Sequence, residues 1–410
     1  MKVAVMGGGS SYTPELINGF LERIDTFPMT ELWLLDVLQE RLDVVGGFAQ
    51  RMVAAKGAPF KVVLTTDRRA AVEGASYVTT QLRVGWMEAR RQDEYLGRRY
   101  GLIGQETTGI GGMAKALRTI PVILGIARDM AELAPGALLV NFTNPAGLVT
   151  EALARYAADV PSVGVCNVSI TTKMHLLERW EKLSGVSVAP ERAQLKTLGL
   201  NHLTWHRGFT IDGEDVWPQI IANYLGELRT QAEPEWQPRL VETLKMIPNY
   251  YLNYFYSTSH KLAEQDKWPP SRAEEVMAVE KELLAQYAEP DRTEPPPGLL
   301  KRGGAFYSTL ATQLLNAQHW KDVGVSSRHG EFTHRIQWYV ICRAGIVAAA
   351  KLMQKLADLY GMYLLARNNA QGKEVAYRDA DGKIKSHAMS GEFPVAKLFE
   401  SVRDQYAAML

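Results

Sequence analysis

Short β-rich runs alternate with stretches of helical spacing through the first half of the chain, the pattern of a parallel sheet covered by helices. Val3-Ala4-Val5-Met6 predicts the first strand, and a helix follows through Leu21. Leu32-Trp33-Leu34-Leu35 predicts a second strand that ends on Asp36. Buried-looking runs at 60–64, 77–82, 137–142 and 163–166 complete six strands. Strands and helices in this order predict a Rossmann-like, doubly wound α/β domain over residues 1–166. Beyond Cys166 the pattern changes. Residues 174–183 read as a helix, and Leu203 to Ile211 and Asp215-Val216-Trp217 flank Asp212-Gly213, a strong two-residue hairpin signal. Residues 167–410 are expected to form a mixed α+β domain for substrate and oligomerisation. Within it, 289–298 is a loop around Pro295-Pro296-Pro297, and 335–366 is helical by composition. Asp381-Gly382, between Val375-Ala376-Tyr377 and Ile384, marks a second hairpin.

Composition narrows the function. With 46 Lys+Arg against 45 Asp+Glu, the chain has no basic excess of the kind nucleic acid or an anionic membrane surface attracts. No run of eighteen apolar residues and no signal-like leader is visible, and the two cysteines, Cys166 and Cys342, are too few for a disulfide framework. A cytoplasmic enzyme of small molecules, with no nucleic-acid or membrane partner, is expected.

Several places combine chemistry with position. Gly7-Gly8-Gly9-Ser10 follows the first strand and opens a helix, where backbone N–H groups can hold a pyrophosphate at the positive end of the helix dipole. Tyr12 stands where a dinucleotide fingerprint has its third glycine, so a glycine-rich turn of another α/β protein fits the same residues. Asp36, closing the second strand, suits an adenosine ribose and repels a 2′-phosphate, which favours NAD over NADP. Asn141-Phe142-Thr143-Asn144-Pro145 lies at the carboxyl end of the fifth strand, as either a ligand contact or a turn. Cys166-Asn167 and Asn201-His202 bring a thiolate and an imidazole, suited to a divalent transition metal with open positions. Their spacing lacks the tight pattern that marks a metal site, and a single cysteine is more often a small buried hydrophobe. The aromatic run 250–256 reads as packing or as the source of a tyrosine base, which needs a nearby cation to act. Arg90-Arg91 and Arg272 are candidate anchors for an anion.

The glycine turn with Ser10-Ser11-Tyr12-Thr13-Pro14, Gly101-Leu102-Ile103-Gly104-Gln105-Glu106, Asn141 to Pro145, Cys166-Asn167 and Gly199-Leu200-Asn201-His202 occur here in one order. In that order they resemble the 6-phospho-β-glucosidases of glycoside hydrolase family four, from Met1 to about Ser308. The resemblance implies NAD and a divalent metal, usually Mn²⁺, as cofactors. It also implies hydrolysis of a phosphorylated glucoside by oxidation at C3, C2 deprotonation, elimination, water addition and re-reduction. It gives Gly7, Gly8, Gly9, Ser10, Asp36 and Asn141 to the cofactor and Cys166 and His202 to the metal. Arg90, Asn144 and Arg272 go to the substrate, and Tyr251 is the base, made more basic by Glu106. Asn167, where α-specific relatives commonly carry Asp, implies β-linked substrates. A homo-oligomer, dimer or tetramer, is expected. After about Leu310 the resemblance thins, because the acidic-Pro strand that usually precedes the family's last helices is missing. Two rivals share the first domain: a hydroxy-acid dehydrogenase, which would release free NADH, and a cofactor-sensing protein with no turnover.

Overall fold

The computed structural model describes residues 1–302, apart from 26, 167 and 201, together with the strands Gly324–Ser326, Val375–Arg378 and Ile384–His387. Its main sheet is built from β1 (Lys2–Met6), β2 (Glu31–Leu35), β3 (Lys61–Thr65), β4 (Tyr77–Thr80), β5 (Leu138–Asn141) and β6 (Ser162–Cys166). They lie in the order β3-β2-β1-β4-β5-β6, all parallel, which is the doubly wound order expected from the sequence. Val3, Val5, Leu32 and Leu34 pack on one face of this sheet with Leu16, Phe20 and Phe48. Ala4, Met6, Val78 and Leu139 pack on the other with Ile123, Ile126, Met130 and Leu153. Burial on both faces is why these strands read as continuous apolar runs and not as alternation.

Helix Gly109–Leu133 has the length and composition to cross a membrane, but 72% of its most apolar window is buried in the protein. It packs between helices Trp86–Arg98 and Ala146–Tyr156 and carries buried Lys115 and Arg118. It is a core helix of the α/β layer.

The second sheet consists of β7 (Ala193–Leu200), β8 (Leu203–Ile211), β9 (Glu214–Asp215) and β10 (Ile247–Pro248), antiparallel throughout. Asp212 and Gly213 have φ of 50° and 87°, the left-handed pair that a two-residue hairpin turn demands. The second arm of this hairpin is shorter than the sequence suggests. Asp215 accepts a hydrogen bond from the Trp217 N–H at 3.1 Å, and a helix begins at Trp217 with Pro218 in its first turn. The strands expected on either side of Asp381-Gly382 pair antiparallel, Val375–Arg378 with Ile384–His387, and the turn between them lies outside the described residues. The helical expectation for 335–366 lies outside the described residues.

Two returns tie the chain together. Gly324–Ser326 adds an antiparallel edge to β6, so residues beyond 167 contribute to both sheets. Helix Arg272–Tyr287 buries Leu283 and Tyr287 in the first core, where Tyr287 stacks on Phe48 and donates to the Ser11 carbonyl. Its Glu280 pairs with Arg41 at 2.6 Å. This docking sets the opposite end of the helix, Arg272, at the mouth of the site.

Candidate active site

A cleft of about 1360 Å³ opens over the carboxyl ends of β1, β4, β5 and β6, the ligand side of a doubly wound sheet. A single small-ligand pocket measures roughly 300–1,000 Å³, so this one has room for two ligands side by side. At one end lie Gly7, Gly9, Ser10 and Asp36, and at the other Cys166, His202 and Tyr251.

The glycine turn is glycine for steric reasons. Gly7, at φ 93°, sits so close to the chain that a Cβ would lie 2.9 Å from the Leu82 backbone. At Gly9 a Cβ would lie 2.8 Å from the Asp36 carboxylate, which accepts the Gly9 N–H at 2.9 Å and the Leu38 N–H at 3.2 Å. Gly8 packs against Leu34, away from the cleft. The turn enters helix Thr13–Leu21, so a close-fitting cradle of backbone meets a positive helix end and an acidic ribose partner, as a dinucleotide requires. Asn141 is placed differently from the other expected cofactor residues. It is fully buried, accepts the Thr80 hydroxyl at 2.8 Å and donates to the Thr143 carbonyl at 3.1 Å. Its amide braces the turn that carries Thr143 and Asn144, and those two residues line the cleft.

Cys166 ends β6, and His202 occupies the β7–β8 turn at φ 65°. Sγ and Nε2 lie 3.4 Å apart, a separation that two donors about 2.0–2.3 Å from one ion would have. Burial pushes the imidazole down to about 4, against the pull of Glu106, so the ring is neutral and its lone pair is available. Among the described residues no cluster of three His, Cys, Asp or Glu side chains forms. Thiolate and imidazole donors fit a first-row divalent ion. Asn167 and Asn201 lie outside the described residues.

Tyr251 stacks flat on His202, with ring centroids 3.9 Å apart and 7° between planes. Asn249 fixes this geometry by accepting the Tyr251 N–H at 3.0 Å while its own N–H donates to Thr204 of β8. Burial, then the charges of Cys166 and Glu106, raise the phenol above its ordinary value. The resting side chain is a protonated phenol, and its use as a base needs a cation beside it.

The main feature that sequence reading missed surrounds Glu106. Its carboxylate receives Arg83 Nη1 at 2.5 Å, Lys115 Nζ at 2.5 Å and Arg90 Nη1 at 3.2 Å. Burial favours protonation, but the charges of Arg83, Arg90 and Lys115 hold this carboxyl well below the usual range. Burial and the Arg83 charge push the Lys115 amine down to about 7, against the pull of Glu106. Arg83 follows β4 on a turn whose Val84 carbonyl accepts Arg118 Nε at 3.0 Å, and Arg118 is locked by a buried pair with Asp93. Arg90 is held a second time by Glu94 at 2.8 Å. Arg272 lines the same cleft at its rim and pairs with Glu275 at 2.9 Å. Arg91 turns outward to Glu88 and is absent from the cleft wall.

Family models match two consecutive stretches: family 4 glycosyl hydrolase over residues 2–181, and the family 4 glycosyl hydrolase C-terminal domain over residues 197–330. The chain belongs to family 4 of the glycosyl hydrolases. A probable 6-phospho-β-glucosidase of Bacillus subtilis is 44% identical over 328 residues, covering 77% of this chain and 73% of that protein. The 6-phospho-β-glucosidase of Escherichia coli is 39% identical over 330 residues, covering 77% and 72%. Among solved structures, the 6-phospho-β-glucosidase of Thermotoga maritima with manganese, NAD⁺ and glucose 6-phosphate aligns at a TM-score of 0.70 and 35% identity. It covers 77% of this chain and 72% of that one.

Proposed function

We propose that this family 4 enzyme hydrolyses 6-phospho-β-glucosides with NAD and a divalent metal, manganese being the one named for the Thermotoga relative. The observation that carries the reading is a single cleft with a dinucleotide cradle at one end and the Cys166, His202 and Tyr251 group at the other. The names of the 44% and 39% identical relatives support the phosphorylated β-glucoside. Most glycosidases act through two carboxylates, and NAD-dependent members of this family are an exception.

When bound, NAD supplies a reversible hydride acceptor for C3 of the sugar, and the metal supplies Lewis-acid polarisation of the neighbouring oxygens. Gly7, Gly9 and Ser10 would cradle the pyrophosphate while Gly8, expected there from the sequence, seats the turn against Leu34; Asp36 would accept from the adenosine ribose, and Asn141 would support the turn beside the cofactor. Cys166 and His202 would hold the ion. Tyr251 would remove the acidified C2 proton, the C1 aglycone would leave, water would add to the resulting enone, and return of the hydride to C3 would restore the sugar's oxidation level. Glu106 would keep Tyr251 basic, while Arg90, Asn144 and Arg272 would hold the sugar phosphate. Asn167, unable to donate an acidic proton, would favour β-linked over α-linked substrates. Residues 1–166 would then form the cofactor domain and 167–410 the substrate domain. We further infer a homo-oligomer acting in the cytoplasm, where a phosphorylated sugar and a reduced Cys166 are both maintained.

Nitrophenyl α- and β-glucosides and their 6-phosphates, assayed with and without NAD, Mn²⁺ and a thiol reductant, test this reading. Turnover of the β-6-phosphate that requires both cofactors is expected. Stoichiometric release of free NADH would instead favour a dehydrogenase, and a preference for the α-anomer would overturn the linkage.

A further inference from the structure

The cluster around Glu106 holds more positive groups than its own carboxylates engage fully. Arg90 is committed to two carboxylates, Nε to Glu94 and Nη1 to Glu106. Lys115 is 2% exposed, with its amine closed against Glu106. Arg83 differs from both. Only its Nη1 is engaged, by Glu106, and among the described residues its Nε and Nη2 donors have no partner. The side chain is about one-fifth exposed, and the space it faces is the cleft. A guanidinium anchored at one nitrogen and open at the others is preorganised to receive an oxyanion.

Resting on the function proposed above, we propose that Arg83 donates directly to the phosphate of the phosphorylated sugar and so is a further specificity-determining residue. Two phosphates compete for this role, the substrate's and the cofactor's pyrophosphate. The substrate's is favoured because Arg83 and Arg90, the arginine placed above on the sugar phosphate, converge on the same Glu106 carboxylate. The cluster therefore belongs to the chemical end of the cleft, while the cofactor cradle lies at Gly7 to Ser10.

The test compares wild type with Arg83→Gln and Arg83→Lys, each loaded with NAD and Mn²⁺. Titrations with glucose 6-phosphate, inorganic phosphate, glucose and NAD are combined with kcat and KM on the β-6-phosphate. Losing one charge-assisted contact should weaken glucose 6-phosphate and phosphate about 10- to 100-fold, with Lys restoring part of the loss. KM should rise by a similar factor, and the affinities for NAD and glucose should change less than about twofold. If Arg83 serves only to hold Glu106, kcat falls while phosphate affinity stands, and the proposal is overturned. A fall in NAD affinity with phosphate affinity unchanged overturns it in favour of the pyrophosphate. The wild-type titrations separate these results from a failure of the proposed function: a wild type that binds glucose no worse than glucose 6-phosphate contradicts the substrate class itself.

Discussion

Glu106→Gln removes one charge and almost no volume, so its cost can be worked from three contacts. The carboxylate is 12% exposed and faces Arg83 and Lys115 at 2.5 Å each and Arg90 at 3.2 Å. Removing one partner of a buried ion pair costs roughly 3–5 kcal/mol, because the remaining charge is left without compensation. Two effects reduce that. The Gln carbonyl still accepts one hydrogen bond, worth about 1 kcal/mol, and Lys115, already lowered to about 7, sheds its proton more readily once Glu106 is gone. A net loss of about 3 kcal/mol follows, or roughly 6–12 °C in melting temperature for a domain of about 150–250 residues. The pH dependence has a definite sign. A carboxyl held well below its ordinary value stabilises the fold above its unfolded pKa and loses that contribution as pH falls through the folded value. The wild-type advantage should thus be full at pH 6–7 and shrink below about pH 4.5. Thermal melts of both proteins from pH 4 to 7 read this directly. A variant that melts within about 1 °C of wild type at pH 7 would refute the claim that Glu106 balances this cluster.

Tyr251→Phe should lower kcat about 10²–10⁴-fold while NAD affinity, read by titration, stays unchanged, since the ring and its stack on His202 are retained. Cys166→Ser should lose stoichiometric Mn²⁺ on metal analysis after gel filtration, because a hydroxyl is a poor replacement for a thiolate; full retention of metal would exclude Cys166 as a ligand. Gly9→Ala forces a methyl to within 2.8 Å of the Asp36 carboxylate and should weaken NAD about tenfold or more, with little change in Mn²⁺ binding.

The parts legible in the sequence are those that local pattern dictates. Val3 to Met6 and Leu32 to Leu35 are buried on both sides and read as strands, and Asp212-Gly213 and Asp381-Gly382 announce their hairpins through turn chemistry. The parts that escaped are set by distant partners. Gly324–Ser326 is three residues long and is a strand only because β6 offers an open edge. Ala193–Leu200 alternates weakly and is defined by its pairing with β8. Lys115 lies in a long apolar helix, where one cation looks incidental, and Arg83 follows an ordinary strand. Only folding brings both to Glu106, a residue that attracted notice solely through a family resemblance. Asn141 was legible as a residue of the site, whereas its inward amide, bonded to Thr80 and Thr143, depends on the β4–β5 pairing.

The central claim is that this cleft cleaves by elimination after C2 deprotonation. Turnover of a 6-phospho-β-glucoside in heavy water, with NAD and Mn²⁺ present, tests it most directly by mass spectrometry and NMR of the released sugar phosphate. The account predicts one solvent deuterium at C2 in the wild type. Product that keeps only its original hydrogen at C2, released at the full wild-type rate, would contradict it.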